Sequence, residues 1–274
     1  MLSLFTKILD IDDLDNRFVA RLFFAILLFM RWMAYFMPFG DSDLSGLYSW
    51  YESAMQDPSI YSMSYSNGLS DFGLSVGNGI YLLTLLGVSF LSYVLMFIYA
   101  GVMIREHRLG NGEYDSLKPI SEGKLIFRSF FLVIALAVMF CVASVFLIML
   151  FIFFFLLIPF VAVFCGCYIS GDSKFFDAFS DCRRRMRGNY IFCLRIVGIL
   201  GLLGLILQFG MSALEEVMNP QGFYVINAFL SSFSILCTAR GIGVIYCFVE
   251  RTGMRTRFPR KKVNEAPGKG SRIK

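Results

Sequence analysis

Four arginines occupy five consecutive positions in the stretch FSDCRRRMRGNYIF, residues 179–192: Arg183, Arg184, Arg185 and Arg187. A guanidinium is a planar fork of donors that matches phosphate and carboxylate oxygens, so the cluster has the chemistry to hold an acidic partner. The plainer reading is that it only marks the side of a membrane on which the segment lies. Neither a helix-turn-helix pattern nor an RNA-binding aromatic motif accompanies it, which sets nucleic acid aside as a partner. Anionic lipid headgroups remain, towards which each basic residue contributes on the order of 1 kcal/mol.

Other chemistry is sparse. His107 is the sole histidine, so an HExxH zinc site is excluded, and a Ser/His or Cys/His relay would have to use this one residue. Glu215 and Glu216 in ALEEVMNPQG are similar to the paired glutamates of membrane-embedded abortive-infection-type proteases, but the arginine and later histidines of such a site are missing. Cys165 and Cys167 form a CGC pair better read as small, polarizable helix residues than as soft-metal ligands. The stretch DIDDLD lacks the glycine and final glutamate of a calcium loop and reads as a cap for the first long helix. No metal or cofactor is expected, and no catalytic constellation is found.

Two charges fall inside apolar stretches, Arg31 and Arg240. Intramembrane arginines are costly, and both are candidates for function by default. Arg31, about 6 residues from the end of its stretch, can snorkel towards Asp41, Asp43 or a lipid phosphate. Arg240 is deeper, about 15 Å from Glu250, and no acid shares the span with it. It could face a cavity, bond carbonyls, stretch to headgroups, or meet an anion or a partner protein's acid. The adjacent Gly241 and Gly243 permit close helix approach.

The elements that must position these residues follow from composition. The 274 residues are 57% hydrophobic, 17% aromatic and 16% charged, with a mean hydropathy of +0.66. That excludes an ordinary soluble domain and selects an all-α, polytopic membrane helix bundle. Stretches long enough to cross a hydrocarbon core of about 30 Å fall at residues 18–37, 80–104, 190–214 and 224–249. Residues 129–170 are too long for one span and read as two, 129–149 and 152–170. Only Pro159 interrupts the pattern there, so charge decides. Arg105, Arg108, Lys118, Lys124 and Arg128 precede the stretch, Lys174 and the arginine cluster follow it, and an even number of crossings keeps both on one side.

Residues 38–79 carry Asp41, Asp43, Glu52, Asp57 and Asp71 but no Lys or Arg, whereas nine basic residues follow Glu250. The expected topology is six transmembrane helices, an exofacial loop at 38–79 and both termini cytoplasmic. Residues 1–252 make one transmembrane domain, and 253–274 a basic, disordered tail. No cleaved signal is expected at the N-terminus. None of the seven cysteines falls in the exofacial loop, so a disulfide framework is not expected. In that loop, DLSGLYSWYESAM reads as a short helix whose Tyr48, Trp50 and Tyr51 rest at the headgroups.

Around the arginines, Phe175, Phe179, Cys182 and Met186 are spaced by four, three and four, which places them on one helical stripe. Residues 173–187 therefore read as an interfacial amphipathic helix, capped by Asp172 or Ser173 and stopped by Gly188, with Phe and Met dipping into the bilayer and arginines on headgroups.

The run from residue 156 to 206 resembles a group of uncharacterised prokaryotic integral membrane proteins related to the membrane domain that precedes some glycerophosphodiester phosphodiesterases. Leu157, Ile158 and Pro159 match the end of that group's apolar helix, Ala178 and Phe179 its Ala-Leu, and Gly188 its closing glycine. Phe160 replaces a usual glycine, and Cys182 a common serine. The resemblance implies a six-helix bundle in a prokaryotic cytoplasmic membrane and brings no catalytic residue with it. The expected function is a non-enzymatic scaffold or accessory protein held to anionic lipid. The alternative is a six-helix permease subunit of an exporter, with a partner ATPase subunit supplying the P-loop this chain lacks.

Overall fold

The computed structural model describes residues 2–12, 14, 16–57, 68–110, 120–171 and 173–257, with side chains from residue 6 onward except at 110, 143–155, 216 and 253–257. These residues form α1 (Leu2–Leu9), α2 (Arg17–Phe36), α3 (Ser45–Gln56), α4 (Val76–Gly110), α5 (Glu122–Ile169), α6 (Phe175–Met186), α7 (Tyr190–Val217) and α8 (Pro220–Arg257), plus a 3-10 turn at Gly68–Phe72. No strand occurs among the described residues. Five helices are long and apolar enough to cross a membrane, at Arg17–Phe36, Val76–Leu109, Glu122–Val142, Tyr190–Glu215 and Pro220–Thr252, and a shorter apolar helix covers Leu156–Ile169. This is the pattern of an all-helical, multi-pass membrane protein.

Helix α8 is the hub. Of its most apolar window 67% is buried, against 17–22% in the other four, and it packs on α1, α2, α4, α5, α6 and α7. Small residues make this possible: Ala228, Ser232, Cys237 and Ala239 are buried, and a Cβ on Gly243 would sit 2.6 Å from the Met103 sulfur. The outer helices turn large apolar side chains such as Phe18, Leu83, Leu86 and Phe209 away from the protein, as a lipid solvent allows. Met103 beside Gly243 and Arg108 beside Glu250 show that α4 and α8 run in the same direction.

The helical backbone of α5 runs unbroken for 48 residues, which would make a straight rod about 72 Å long. It is not straight. Arg128 bonds the Tyr168 carbonyl at 2.6 Å and lies 5.0 Å from that ring's centroid, and the Phe131 and Tyr168 rings are 6.2 Å apart. The chain therefore doubles back between these residues, and α5 is two arms lying side by side. The expected division at 149–152 has no break in helical assignment, yet the midpoint of the touching residues falls close to it.

At the end that carries the chain from α2 into residues 38–75, Tyr35 stacks on Tyr224 at 5.3 Å and Trp32 packs on Phe36 at 5.2 Å, a belt suited to a membrane interface. Asn78 pins the loop to the start of α4: its Nδ2 donates to the carbonyls of Asp41 and Asp43 at 2.9 and 2.6 Å. Helix α3 forms as expected, with Tyr48 and Tyr51 exposed and Trp50 against Phe72.

Four expectations need correction. Helix α1 is an element that hydropathy missed, and Ile8 within it and Leu14 beyond it are buried in the core. The N-cap of α2 is Asn16, whose side chain accepts from Phe18 N, and not an aspartate; Asp12 pairs with Arg21 instead, while Asp13 and Asp15 lie outside the described residues. Helices α4 and α8 overrun their expected spans, because charges at their ends find partners rather than ending the helix. Helix α8 continues to Arg257, past the expected start of the tail; residues 258–274 lie outside the described residues.

The fourth concerns α6. It begins at Phe175 behind Lys174, and Gly188 at φ +82° turns the chain in the left-handed region, as its type requires. The Ser173 hydroxyl bonds Asp181 rather than capping the helix; Asp172 lies outside the described residues. Cys182 and Met186 face the protein together with Ala178, whose small side chain lets α6 lie close on α5 and α8. The outward edge is rotated from the expected stripe. It holds Phe176, 86% exposed, with Phe179, Arg183 and Arg187.

Candidate functional site

Tyr246 and Glu250 are four residues apart and project from one face of α8. Arg108 arrives from the last turn of the parallel α4, and Arg185 from the last turn of α6. Arg108 NH2 lies 2.5 Å from Glu250 Oε1, its Nε 3.4 Å from Oε2, and its NH1 donates to the Ser170 carbonyl at 3.3 Å. Arg185 NH1 lies 3.6 Å from the same carboxylate. The side chains of Arg108 and Glu250 are 3% and 1% exposed, and Arg185 is 15% exposed.

The Tyr246 hydroxyl stands at the centre. It donates to Glu250 Oε1 at 3.2 Å and accepts from Arg108 NH2 at 3.1 Å and Arg185 NH1 at 2.9 Å. A hydroxyl has one proton and two lone pairs, so its bonding capacity is full. Both guanidiniums also stand over its ring, with Arg185 Cζ 5.3 Å from the centroid and Arg108 Cζ 6.0 Å. The ring fits because Gly166 has no side chain: a Cβ there would meet Tyr246 Cδ2 at 2.5 Å. This is the meaning of the CGC motif here, whose cysteines are buried free thiols. Among the described residues, no group of three or more His, Cys, Asp or Glu is placed to hold a metal ion.

A second tier of charges surrounds this core. Arg128 bonds the carbonyls of Tyr168 and Ser173, Arg105 pairs with Glu122 at 3.2 Å, and Arg184 pairs with Asp181 at 2.5 Å. Beside it, the Cys182 thiol donates to the Phe160 carbonyl at 3.3 Å, and burial pushes its pKa well up. The arrangement is a buried clamp: two cations share one carboxylate and one phenol, and together they fasten α6 and the end of α5 to α4 and α8.

Of the four cluster arginines, Arg183, Arg184 and Arg187 are exposed, whereas Arg185 turns inward and is spent in the clamp. Arg240 stands apart from this site. It is 1% exposed, its Nε donates to the Lys7 carbonyl at 2.8 Å at the end of α1, and it bonds the Tyr99 hydroxyl, which donates to the Ile11 carbonyl at 2.7 Å. Of the open alternatives, carbonyl bonding is the one observed. Arg240 lies about 24 Å along α8 from Tyr224 of the aromatic belt, inside the apolar span Pro220–Thr252. Arg31 keeps a buried Nε without a hydrogen-bond partner, and no ion pair to Asp41 or Asp43 forms among the described residues.

Reading the sequence missed Arg108, Tyr246 and Glu250. The signal available was a tyrosine and an acid four residues apart at the end of an apolar helix, on a side otherwise crowded with bases. Searched against protein-family models, curated proteins and solved structures, the chain has no match.

Proposed function

We propose that this protein is a non-enzymatic membrane scaffold or accessory module whose cytoplasmic face holds anionic lipid through α6. The observation that carries this reading is the outward edge of that helix, where Phe176, Arg183 and Arg187 are spaced by seven and four and so share one face. An aromatic ring in the acyl region and guanidiniums at phosphates is the interfacial arrangement, and the Arg185 clamp holds that edge in place. Six crossings with both termini in the cytoplasm agree with the charge distribution and with the doubling back of α5.

Native mass spectrometry of protein released from phosphatidylcholine/phosphatidylglycerol nanodiscs tests it. Wild-type protein retains phosphatidylglycerol preferentially, and R183Q/R184Q/R187Q loses that preference; equal retention by both proteins removes the reading.

One feature supports the alternative of an exporter permease. A helix clamped to the two parallel helices α4 and α8 can pass movement from a cytoplasmic ATPase to the bundle. On that reading an ATPase co-purifies from native membranes and is lost with R185Q, and purification without any ATPase argues against it.

A further inference from the structure

Helices α7 and α8 meet at Met218 and Asn219, then part enough to leave a cavity of about 310 Å³. Its polar lining is Gln208, Ser212 and Glu215 from α7, and Asn227, Ser231 and Ser234 from α8. This volume is at the small end of the range for ligand pockets. Glu215 sits at the mouth, in the last turn of α7, and Ser234 lies about 21 Å along α8 from Pro220. Polar groups facing an apolar layer are expensive unless something satisfies them.

The hydrogen bonds show what would satisfy them. Ser212 Oγ donates to the Gln208 carbonyl at 3.2 Å, Ser231 Oγ donates to the Asn227 carbonyl at 2.5 Å, and Asn227 Nδ2 donates to Tyr35 at 3.1 Å. These donors are turned to the protein. The Gln208 amide and the Ser234 hydroxyl, which line the cavity, can each donate as well as accept, and the one charged group in the lining is the Glu215 carboxylate. Charge points the same way: residues 196–239 contain no Lys or Arg, nor do residues 33–103, while Asp41, Asp43, Glu52 and Asp71 share this end of the molecule.

We infer that this groove binds a cationic amphiphile, an ammonium headgroup with a hydroxyl or amide N–H just below it, on an alkyl chain. The ammonium meets Glu215 at the mouth, the donor below it bonds Asn227, and the chain lies along Leu207 and Leu230 towards Ser234. This site is on the opposite face from the α6 arginines and does not rest on the proposed function.

The test is equilibrium binding of radiolabelled 1-aminododecan-2-ol, protonated at pH 7, to the full chain in phosphatidylcholine nanodiscs. Saturable binding above that of empty nanodiscs is expected, competed by dodecylammonium and not by dodecanol. Glu215→Gln weakens binding about fivefold at low salt, with the difference shrinking at high salt. Glu52→Gln, the same charge change elsewhere on the acidic end, leaves binding unaltered. Ser234→Leu fills the floor and abolishes binding; if it lowers the melting temperature, Gly204→Leu on the opposite wall, where an added Cβ meets nothing within 4 Å, replaces it. Absence of saturable binding, equal loss in E215Q and E52Q, competition by dodecanol, or wild-type binding in the filled variant overturns the site. So does co-purification of a partner membrane protein that the filled variant releases while amphiphile binding stays intact.

Discussion

Glu250→Gln is the most informative single change, because it removes a charge and almost no volume. In the wild type this carboxylate is 1% exposed and faces Arg108, itself 3% exposed, at 2.5 Å, with Arg185 at 3.6 Å and the Tyr246 hydroxyl at 3.2 Å. The amide keeps one acceptor oxygen but leaves two guanidiniums in a nearly dry site without a counter-charge. Breaking a buried pair from one side costs about 3–5 kcal/mol. Arg185 is 15% exposed and can find water, which places the expected loss at the lower end, about 3 kcal/mol. Reversible unfolding by SDS titration in mixed micelles reads this directly. The double change Arg108→Met with Glu250→Leu removes both charges and recovers stability to within about 1 kcal/mol of wild type, since well-packed apolar groups replace buried pairs at little cost. An E250Q protein within about 1 kcal/mol of wild type, or a double variant no better than the single one, would show the clamp to be hydrated and refute the reasoning.

Other consequences follow from particular contacts. Cys182 is buried with its thiol pKa raised, so maleimide leaves it untouched in the wild type, and Arg185→Ala opens it to alkylation as α6 loosens; equal protection in both proteins goes against the clamp. Gly166→Ala forces the Tyr246 ring to move and costs about 1–3 kcal/mol in the same SDS titration, whereas alanine at open Gly198 is tolerated. Arg240→Met removes the donor to the Lys7 carbonyl and frees α1, so trypsin cuts after Lys7 at least several-fold faster; unchanged cleavage means that α1 is held by other contacts. Cysteines replacing Phe131 and Tyr168 cross-link with a short bis-maleimide because α5 folds back, whereas in a straight helix they would stand about 55 Å apart.

How much of this was legible in the sequence depends on the range of the interaction. Apolar length and residue spacing are local properties: the first located the long helices, and the spacing of Phe175, Phe179, Cys182 and Met186 with Gly188 after them located the short α6 and its stop. The reversal within α5 carries no turn residue, yet positive charge on both flanks already called for an even number of crossings, and Arg128 against Tyr168 fits that logic. What stayed hidden depends on partners far apart in the chain. Arg108 and Glu250 are separated by 142 positions, and each alone looks like a charge that ends a span. With both taken as boundaries, α4 and α8 come out shorter than the helices are. The periodicity around the arginines was correct in spacing and misjudged in phase, because a stripe containing Cys182 and Met186 suits protein as well as lipid. Ala178, outside that stripe, is buried along with Cys182 and Met186.

The central claim is that α6 sets Phe176, Arg183 and Arg187 against acidic lipid. Its most direct test is a bimane label at Phe176→Cys in a Cys141→Ser background, with the protein in nanodiscs containing brominated phosphatidylglycerol or brominated phosphatidylcholine at equal fraction. The account predicts stronger quenching by the brominated phosphatidylglycerol, and loss of that difference when Arg183 and Arg187 are both changed to glutamine. Equal quenching by the two lipids in the arginine-intact protein would contradict it.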